Sequence, residues 1–487
     1  MSGEDHGLAE LLAARRAKLE RLRGDGVEPF PHAFPGVESL ASVALEHESL
    51  APGEETAVTH RVAGRIAARR DAGRAAFIDL VDRSGRLQLH ARVDELGDAR
   101  FDQLVGLDLG DLIGVDGVAI RTRRGELSLR VSDFTLLAKS LRPPPDKHHG
   151  LSDVETRFRR RELDLIANED TRELFIARAR IIAAVRANLD DAGFIEVETP
   201  VLQPIYGGAL ARPFTTHHNS LDRTLYLRIA TELYLKRAIV GGLERVYELG
   251  KDFRNEGLSP RHNPEFTMVE WYAAYSDYED EARRLEAVVG AAAQTLATPA
   301  IDFKSPWRRI ALREAIREQS AIDIDELRDR DALAGAIATA RLDIVVDGKT
   351  WAMLVDDLLS TCVEPTLQAP TFVFDYPVEL SPFAKAHRSK PGYVERWEAF
   401  AGGMELANAF SELNDPDEQR ARFAAQREQA AAGDADAQPF DEAFLEALEQ
   451  GMPPTGGVGL GIDRLVMALT GARSIREVVL FPAMRDR

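Results

Sequence analysis

"DFRNEGLSPRHNPEFTMVEWY", residues 252 to 272, decides how this chain folds around its chemistry. Arg254, Glu256, Arg261, His262, Glu265 and Glu270 crowd into it, with Phe266 and Tyr272 between them. A core strand would be mostly apolar, and a solvated loop would not carry aromatics at alternate positions. As a strand over 266 to 272, the period of two puts Phe266, Met268, Glu270 and Tyr272 on one face. The same count puts Arg254 and Glu256 together on an earlier strand, with Gly257, Ser259, Pro260 and Asn263 forming a long turn. The expectation is two antiparallel strands that aim arginine, histidine and carboxylates at one place. Such a face suits a ligand that is an anion at one end and a cation at the other.

On either side of this hairpin, strands and helices mix without a regular βαβ alternation, which points to an antiparallel α+β domain. Leu174, Ala177, Ile181, Val185 and Leu189 recur at spacings of three and four and predict a long amphipathic helix. "GFIEVETPVLQP" follows as a strand interrupted by Pro200. Around "YLRIATELYLKRAIVGG", Thr231 reads as an N-cap that places Glu232 in the first helical turn. In "ERWEAFAGGMELANAFSELND", a two-residue turn at Ala401 and Gly402 would set Glu398 opposite Glu405 across a hairpin. Two opposed carboxylates with oxygen ligands only suit Mg²⁺ against phosphates. Asn408, Phe410 and Glu412 share a face by parity and Glu405 does not, so a bulge, or a metal held at the rim, must reconcile them if all four serve one pocket. "TGGVGLGIDRL" sets Gly456, Gly457, Gly459 and Gly461 before a helix starting near Ile462, which carries Arg464. The bare backbone suits close approach of a flat ring or a phosphate. It is neither a dinucleotide fingerprint nor a phosphate loop of the GxxxxGK type. Residues 280 to 370 are helix-rich without a motif, and 415 to 450 read as two helices around "AAGDADAQP". His217 and His218 lack metal-ligand partners at useful spacing and read as structural.

Toward the N-terminus, a charged amphipathic helix leads to "PFPHAFPG", a proline-rich joint. From 58 to 138, β-type runs with "DRSG" and "RRGE" turns give about five short strands, the pattern of a small closed barrel such as an OB-fold. "LRPPPDKHHG" reads as a stiff linker. The domains expected are a helix and joint over 1 to 57, a barrel over 58 to 141, a linker over 142 to 170 and a larger domain over 171 to 487.

The 487 residues, 45% apolar and 29% charged, describe a soluble protein of two or three domains with no membrane span. The net charge of −19 is uneven, being nearly balanced over residues 1 to 147, so local basic groups leave a polyanionic partner open. The lone Cys362 excludes a disulfide framework within the chain, reads as a small buried hydrophobe and fits a reducing cytoplasm.

Together these stretches resemble a class II aminoacyl-tRNA synthetase of the lysyl-tRNA synthetase family, over nearly the whole chain. "GFIEVETPVL" resembles motif 1, the dimer-forming strand; "FRNEGLSPRHNPEFTMVEWY" resembles motif 2; "GVGLGIDRL" resembles motif 3. "GGALARPF", "ELYLKR", "PVELSPFAKAHR" and "ELANAFSELNDP" are similar to the lysine-type stretches. The barrel before the catalytic domain matches the lysine, aspartate and asparagine subgroup, whose OB-fold reads the anticodon.

The resemblance implies an α+β fold, an OB-fold barrel plus an antiparallel catalytic sheet flanked by helices, in a cytoplasmic homodimer. It implies L-lysine, ATP and tRNA(Lys) as partners, with Mg²⁺ bound alongside ATP on Glu398 and Glu405. Arg254 would bridge the lysine carboxylate and the α-phosphate, and Arg464 would cover the adenine and meet the γ-phosphate; these are the catalytic pair. Glu256, His262, Phe266 and Glu405 would complete the ATP site. Gly208, Glu232, Glu270, Tyr272, Asn408, Phe410 and Glu412 would bind lysine, with Glu232 on the α-ammonium. In the barrel Phe77 would stack an anticodon base while Arg70, Gln88 and Glu126 meet base edges or backbone, although Phe77 reads equally well as barrel core. Glu162 and Met404 depart from the family's commonest residues, where a tyrosine and a basic residue are usual. An aspartyl- or asparaginyl-tRNA synthetase is the nearest alternative, but its pocket should offer a cation. A protein-modifying paralogue would lack the barrel, and a silent RNA-binding relative would have no reason to keep Arg254, Glu405 and Arg464.

Overall fold

The structure, a computed structural model, describes residues 3–145, 151–209, 211–431 and 439–486. Residues 146–150 of the expected linker, Leu210 of "GGALARPF" and residues 432–438 of the expected helix–helix tip lie outside the described residues. Two compact units divide the chain, Met1–Arg172 and Glu173–Arg487.

In the first unit, strands β1 (Glu55–Ala72), β2 (Ala75–Val81), β3 (Arg86–Arg92), β4 (Leu112–Arg121) and β5 (Leu127–Ala138) close into a barrel in the order β1-β2-β3-β5-β4. Alternation explains the closure. Ala76, Ile78 and Leu80 of β2 point inward with Leu87, Leu89, Val115, Leu129 and Val131, while Phe77 and Asp79 between them on β2 face out. The predicted "DRSG" turn forms as read: Asp82 Oδ1 accepts from the amides of Ser84 and Gly85 at 2.6 and 3.0 Å. A helix at Leu40–Glu46 packs beside β1 and β3. There His60 Nδ1 lies 3.0 Å from Glu38 and its Nε2 lies 2.7 Å from His47 Nε2, so each ring has a partner.

The second unit is built on a mixed sheet of β12-β13-β14-β15-β16-β11-β10-β6. Its strands are β6 (Ile195–Glu196), β10 (Arg245–Phe253), β11 (Glu265–Ala274), β12 (Arg308–Ala311), β13 (Thr371–Pro377), β14 (Tyr393–Ala401), β15 (Met404–Ser411) and β16 (Thr455–Gly461). Only the outermost pairs, β12 with β13 and β6 with β10, run parallel. Pro200 does interrupt the motif-1 stretch: β6 ends before it, and β7 (Leu202–Gln203) pairs instead with β9 (Arg223–Leu227), which also pairs β8 (Thr215–His218). One face of the large sheet is a dry core. Val269, Trp271 and Ala273 of β11, Ala407 and Ala409 of β15, and Val458 and Leu460 of β16 pack there with helices Glu169–Asp191, Tyr278–Ala293 and Ile462–Thr470. The alternate residues of the same three central strands therefore face the other way, and that face carries the cleft.

Two expectations of register are corrected. Strand β10 ends at Phe253, so Arg254 and Glu256 sit on the following loop rather than on a strand face. The Arg254 amide still donates to the Pro264 carbonyl at 2.9 Å, but Pro264 has no N–H to return the bond, and the ladder stops. In the β14–β15 hairpin the two-residue turn is Gly402 and Gly403, with φ of 61° and 68°, not Ala401 and Gly402. A tight hairpin turn of this hand needs positive φ at both central residues, which the glycine pair supplies. Consequently Glu398 pairs with Asn408 and Glu405 with Phe400. Of the two ways to reconcile them, a bulge is present: Leu406 is the extra residue between the Ala399–Ala407 and Phe400–Glu405 pairs. That insertion shifts the parity and brings Glu405 into the cleft with Asn408, Phe410 and Glu412.

Candidate functional site

The cleft of the second unit has a volume of about 450 Å³. Gly208, Glu232, Arg254, Glu256, His262, Phe266, Glu270, Tyr272, Glu398, Glu405, Asn408, Phe410, Glu412 and Arg464 all line it. Sequence segments as far apart as 208 and 464 thus meet on one sheet face.

One end is acidic and buried. Glu232, Glu270 and Glu412 are 4, 5 and 1% exposed. Glu232 opens the helix Glu232–Ala238, where Thr231 occupies the N-cap position without capping: its Oγ1 is unpartnered, and its amide donates to Glu270 at 3.3 Å. Burial, with Asp252 and Glu232 nearby, pushes Glu270 up to about 8. Burial likewise raises Glu232 and Glu412, against the pull of Lys236. The sequence reading missed Lys236, which is wholly buried and ion-pairs Glu232 at 2.6 Å and Glu412 at 2.5 Å. Burial works against its charge, but the two carboxylates outweigh that and hold its pKa up. Its four-residue spacing from Glu232 on a predicted helix was the available signal. Glu412 Oε2 lies 2.5 Å from the Lys236 ammonium, and among the described residues no other polar group holds this carboxylate. Gly457 is what makes room for this cluster. A Cβ there would come within 2.2 Å of Glu412 Oε1 and 2.4 Å of the Tyr272 ring.

The other end is basic and aromatic. The Arg254 guanidinium lies 5.1 Å from the centre of the Phe266 ring, and its buried Nε has no hydrogen-bond partner. Arg464 Nη1 donates to the Glu405 carbonyl and carboxylate at 2.9 and 3.0 Å, and its Nη2 lies 3.2 Å from His262 Nε2. Ser259 holds the other His262 nitrogen at 2.7 Å. Desolvation, then Arg464, pushes the imidazole pKa down, leaving a neutral ring beside the guanidinium. Glu256 sits exposed on the loop above.

Between the ends, Tyr376 donates to Glu398 at 2.9 Å, and Arg396 pairs with the same carboxylate. Arg396 also donates to Asn408 Oδ1 at 3.1 Å and lies 5.5 Å from the Phe410 ring. Burial pushes Glu398 up to about 7; Arg396 pulls it back, while Glu405 and Asp356 add repulsion. Asp356, also in the cleft, is raised by burial and by Glu405, and no motif pointed to it.

In the barrel, the strand register sets Arg70, Phe77, His90 and Arg130 side by side on adjacent strands. Phe77 is half-buried on the outer face, not core, and stacks on His90 with centroids 4.8 Å apart and planes 2° apart. His90 was not anticipated, since the pairing that aligns it is invisible in the β3 sequence alone. Arg70 and Glu126 are exposed, whereas Gln88 is buried with its oxygen accepting from Ser128 at 2.9 Å. That oxygen is therefore already used.

Residues 153–485 match the family of class II tRNA synthetases (D, K and N), and residues 60–137 match the OB-fold nucleic acid binding domain. The chain is 49% identical to a lysine--tRNA ligase of Moorella thermoacetica, covering 98% of each chain. It is 47% identical to one from Halalkalibacterium halodurans, over 99% of this chain and 98% of that one. The corresponding figures for one from a Synechococcus strain are 49%, 98% and 99%.

Proposed function

Because the chain belongs to the class II tRNA synthetases, and within them to the lysine--tRNA ligases, we propose how its cleft and barrel carry out that family's reaction. The reaction activates L-lysine with ATP to lysyl-adenylate and pyrophosphate, then moves the lysyl group to the 3′-terminal adenosine of tRNA(Lys). The observation that carries the reading is the buried acidic end, where three carboxylates share one resident ammonium. Buried carboxylates in excess of their cations are costly unless a ligand brings the missing positive charge. Lysine brings two ammonium groups. Glu232 and the bare backbone at Gly208 take the α-ammonium, and Glu270, Tyr272, Asn408, Phe410 and Glu412 surround the side chain.

At the other end, Phe266 and Arg464 sandwich the adenine, with Glu256 and His262 alongside. Arg254, whose buried Nε lacks a partner, meets the lysine carboxylate and the α-phosphate. The carboxylate oxygen attacks the α-phosphorus in line, and the bond to pyrophosphate breaks. Arg254 and Arg464 spread the charge that develops. The terminal ribose hydroxyl of the tRNA then attacks the mixed anhydride and releases AMP. No side-chain nucleophile takes part. Glu398 and Glu405 suit Mg²⁺: they offer only oxygen donors, and their mutual repulsion with Asp356 is what a divalent cation relieves. When bound, Mg²⁺ supplies charge neutralisation at the ATP phosphates.

The outward row Arg70, Phe77, His90 and Arg130 supplies stacking and positive charge for an anticodon loop, with Glu126 at the hairpin beside it. Gln88 contributes through its amide nitrogen, its oxygen being engaged by Ser128. A homodimer through the helix Glu169–Asp191 and the motif-1 stretch is supported by exposed Ile195 on β6 and exposed Val201 and Leu202 beyond Pro200. Among the described residues no helix is long and apolar enough to cross a membrane; we place the protein in the cytoplasm. An aspartate or asparagine specificity would need a cation to spare, and Lys236 is held by two carboxylates. ATP–pyrophosphate exchange with each of the twenty amino acids tests the assignment. Lysine is expected to drive it; exchange driven by aspartate or asparagine, with lysine inert, would overturn it.

A further inference from the structure

The ammonium of Lys236 lies at the bottom of the acidic end and takes no part in the reaction as derived above. It is wholly buried and sits between Glu232 of its own helix and Glu412 at the end of β15. The centre of the Phe383 ring lies 5.3 Å from the ammonium. From β11, Glu270 and Tyr272 face the same cluster and are linked by a hydrogen bond of 3.4 Å. Glu281 bears on Glu412 from the helix behind, but its carboxylate is held by Trp271 at 2.7 Å and Arg284 at 3.2 Å. Asp252, which bears on Glu270, is paired with Arg228 at 3.2 Å, a guanidinium it shares with Glu248, the residue opposite Glu270 on β10. Of these groups Glu232, Glu270 and Glu412 line the cleft itself, and Lys236 pairs with two of them.

We propose that Lys236 is a positioning residue that sets the charge the pocket offers its ligand: it pins Glu232 and Glu412 together, so that once the carboxylates have given up their protons two negative charges stand against the two ammonium groups of the incoming amino acid. The inference rests on the lysine reading of the cleft. Ionised Glu232, Glu270 and Glu412 carry three negative charges; the Lys236 ammonium reduces this to two, and bound lysine brings two positive charges. The buried set is then neutral. Without Lys236 the same three carboxylates would exceed the ligand's ammonium groups by one. Buried as they are, the carboxylates would then hold a proton to a higher pH than they do beside Lys236, and that proton must leave before the ligand can pair fully. Lys236 acts through Glu232 and Glu412 and need not touch the substrate. It also accounts for Gly457, since any side chain there would push Glu412 off the Lys236 ammonium.

The test is the pH dependence of kcat/KM for lysine in ATP–pyrophosphate exchange, for the unaltered chain and for K236M, K236R and the double variant E232Q/K236M. Removing an opposite charge within bonding distance raises a carboxylate pKa by about 1–3 units. The acid limb of K236M should therefore move up by that amount, with kcat/KM at pH 7 down by roughly 10- to 1,000-fold and the KM for ATP unchanged. K236R keeps the charge and should keep the limb in place. The double variant removes one carboxylate with the ammonium, so its limb should return to the original position even though its activity stays low. A residue that only filled space would lower activity without moving any limb. An unmoved limb in K236M, or a limb equally displaced in the double variant, overturns the proposal. Should K236M fail to fold, the double variant decides alone, and a displaced limb there is the contrary result. If the unaltered chain shows no lysine-dependent exchange, the reading of the cleft falls and this inference with it; activity with unmoved limbs removes only the role of Lys236.

Discussion

On the barrel, Phe77 lies half-exposed against His90, with Arg70 and Arg130 on the same outward row. In the cleft, Glu270, Glu412 and Lys236 are 5, 1 and 0% exposed and depend on one another for their charge. On the function proposed above both regions bind, but they do so under different dielectric conditions. The barrel row is wet, so each member adds a modest, separable contribution. The acidic end of the cleft is buried, so a change at one member is felt by the rest. Loss of a barrel residue should weaken binding in proportion, whereas loss of a cleft charge should change what the pocket accepts.

The largest effect expected from this difference is at Glu412. Glu412→Gln keeps the shape and removes one buried charge, which costs on the order of 2–5 kcal/mol, or roughly 30- to 5,000-fold in kcat/KM for lysine. The KM for ATP should move little, because Glu412 lies at the acidic end. A variant that raises the KM for ATP and spares lysine would show that the two ends have been assigned the wrong way round.

Phe77→Ala should act on the other region alone. A lost base stack is worth about 1–3 kcal/mol, so tRNA charging should fall about 5- to 150-fold while lysine-dependent exchange stays near the unaltered value. Because the ring is on the outer face and not in the barrel core, the melting temperature should hold. Equal losses in charging and exchange would break the separation between the two regions.

The cleft also predicts how stability responds to pH. Burial holds Asp252 at about 6, Glu398 at about 7 and Glu270 at about 8, all above their unfolded values. The folded state therefore binds more protons than the unfolded one across this range, and stability of the ligand-free protein falls as pH rises from about 5 to 8. Lysine should offset this by pairing Glu270, so its stabilising effect in thermal melts should be larger at pH 8 than at pH 6. Saturation at about 100 times Kd gives about 2.7 kcal/mol, a rise of several degrees. An equal effect of lysine at both pH values would mean that Glu270 is ionised before lysine arrives. The smallest effect belongs to the barrel: Glu126→Ala removes an exposed contact worth about 0.5–1.5 kcal/mol, so charging should drop only about 2- to 10-fold.

The two regions also differ in how much of them the sequence reveals. The barrel follows from strand alternation and turn residues, which are local signals. The helix at Glu169–Asp191 and the strand broken at Pro200 were legible for the same reason. In the cleft, residue types within motifs were legible, and Arg254, Glu270 and Glu412 do meet. Their exact neighbours were not. The placement of the β14–β15 turn depends on which glycine pair adopts positive φ, and a one-residue difference there re-pairs Glu398 with Asn408. Lys236 reads as an ordinary helix surface residue until β15 brings Glu412 to it from 176 residues later, by numbering, across the sheet. His90 likewise gains its meaning only from pairing with Phe77. Long-range register decides these contacts, and periodicity within one segment carries no information about it.

The central claim is that the cleft reads an ammonium group by buried charge, and exchange with lysine against norleucine, which lacks that group, tests it most directly. A site whose buried polar groups are left unpaired rejects such an analogue by about 10⁴- to 10⁵-fold. The expected result is that kcat/KM for norleucine lies at least about 10⁴-fold below that for lysine. Norleucine within about tenfold of lysine, the discrimination expected when an apolar pocket merely fits side-chain size, would contradict the account.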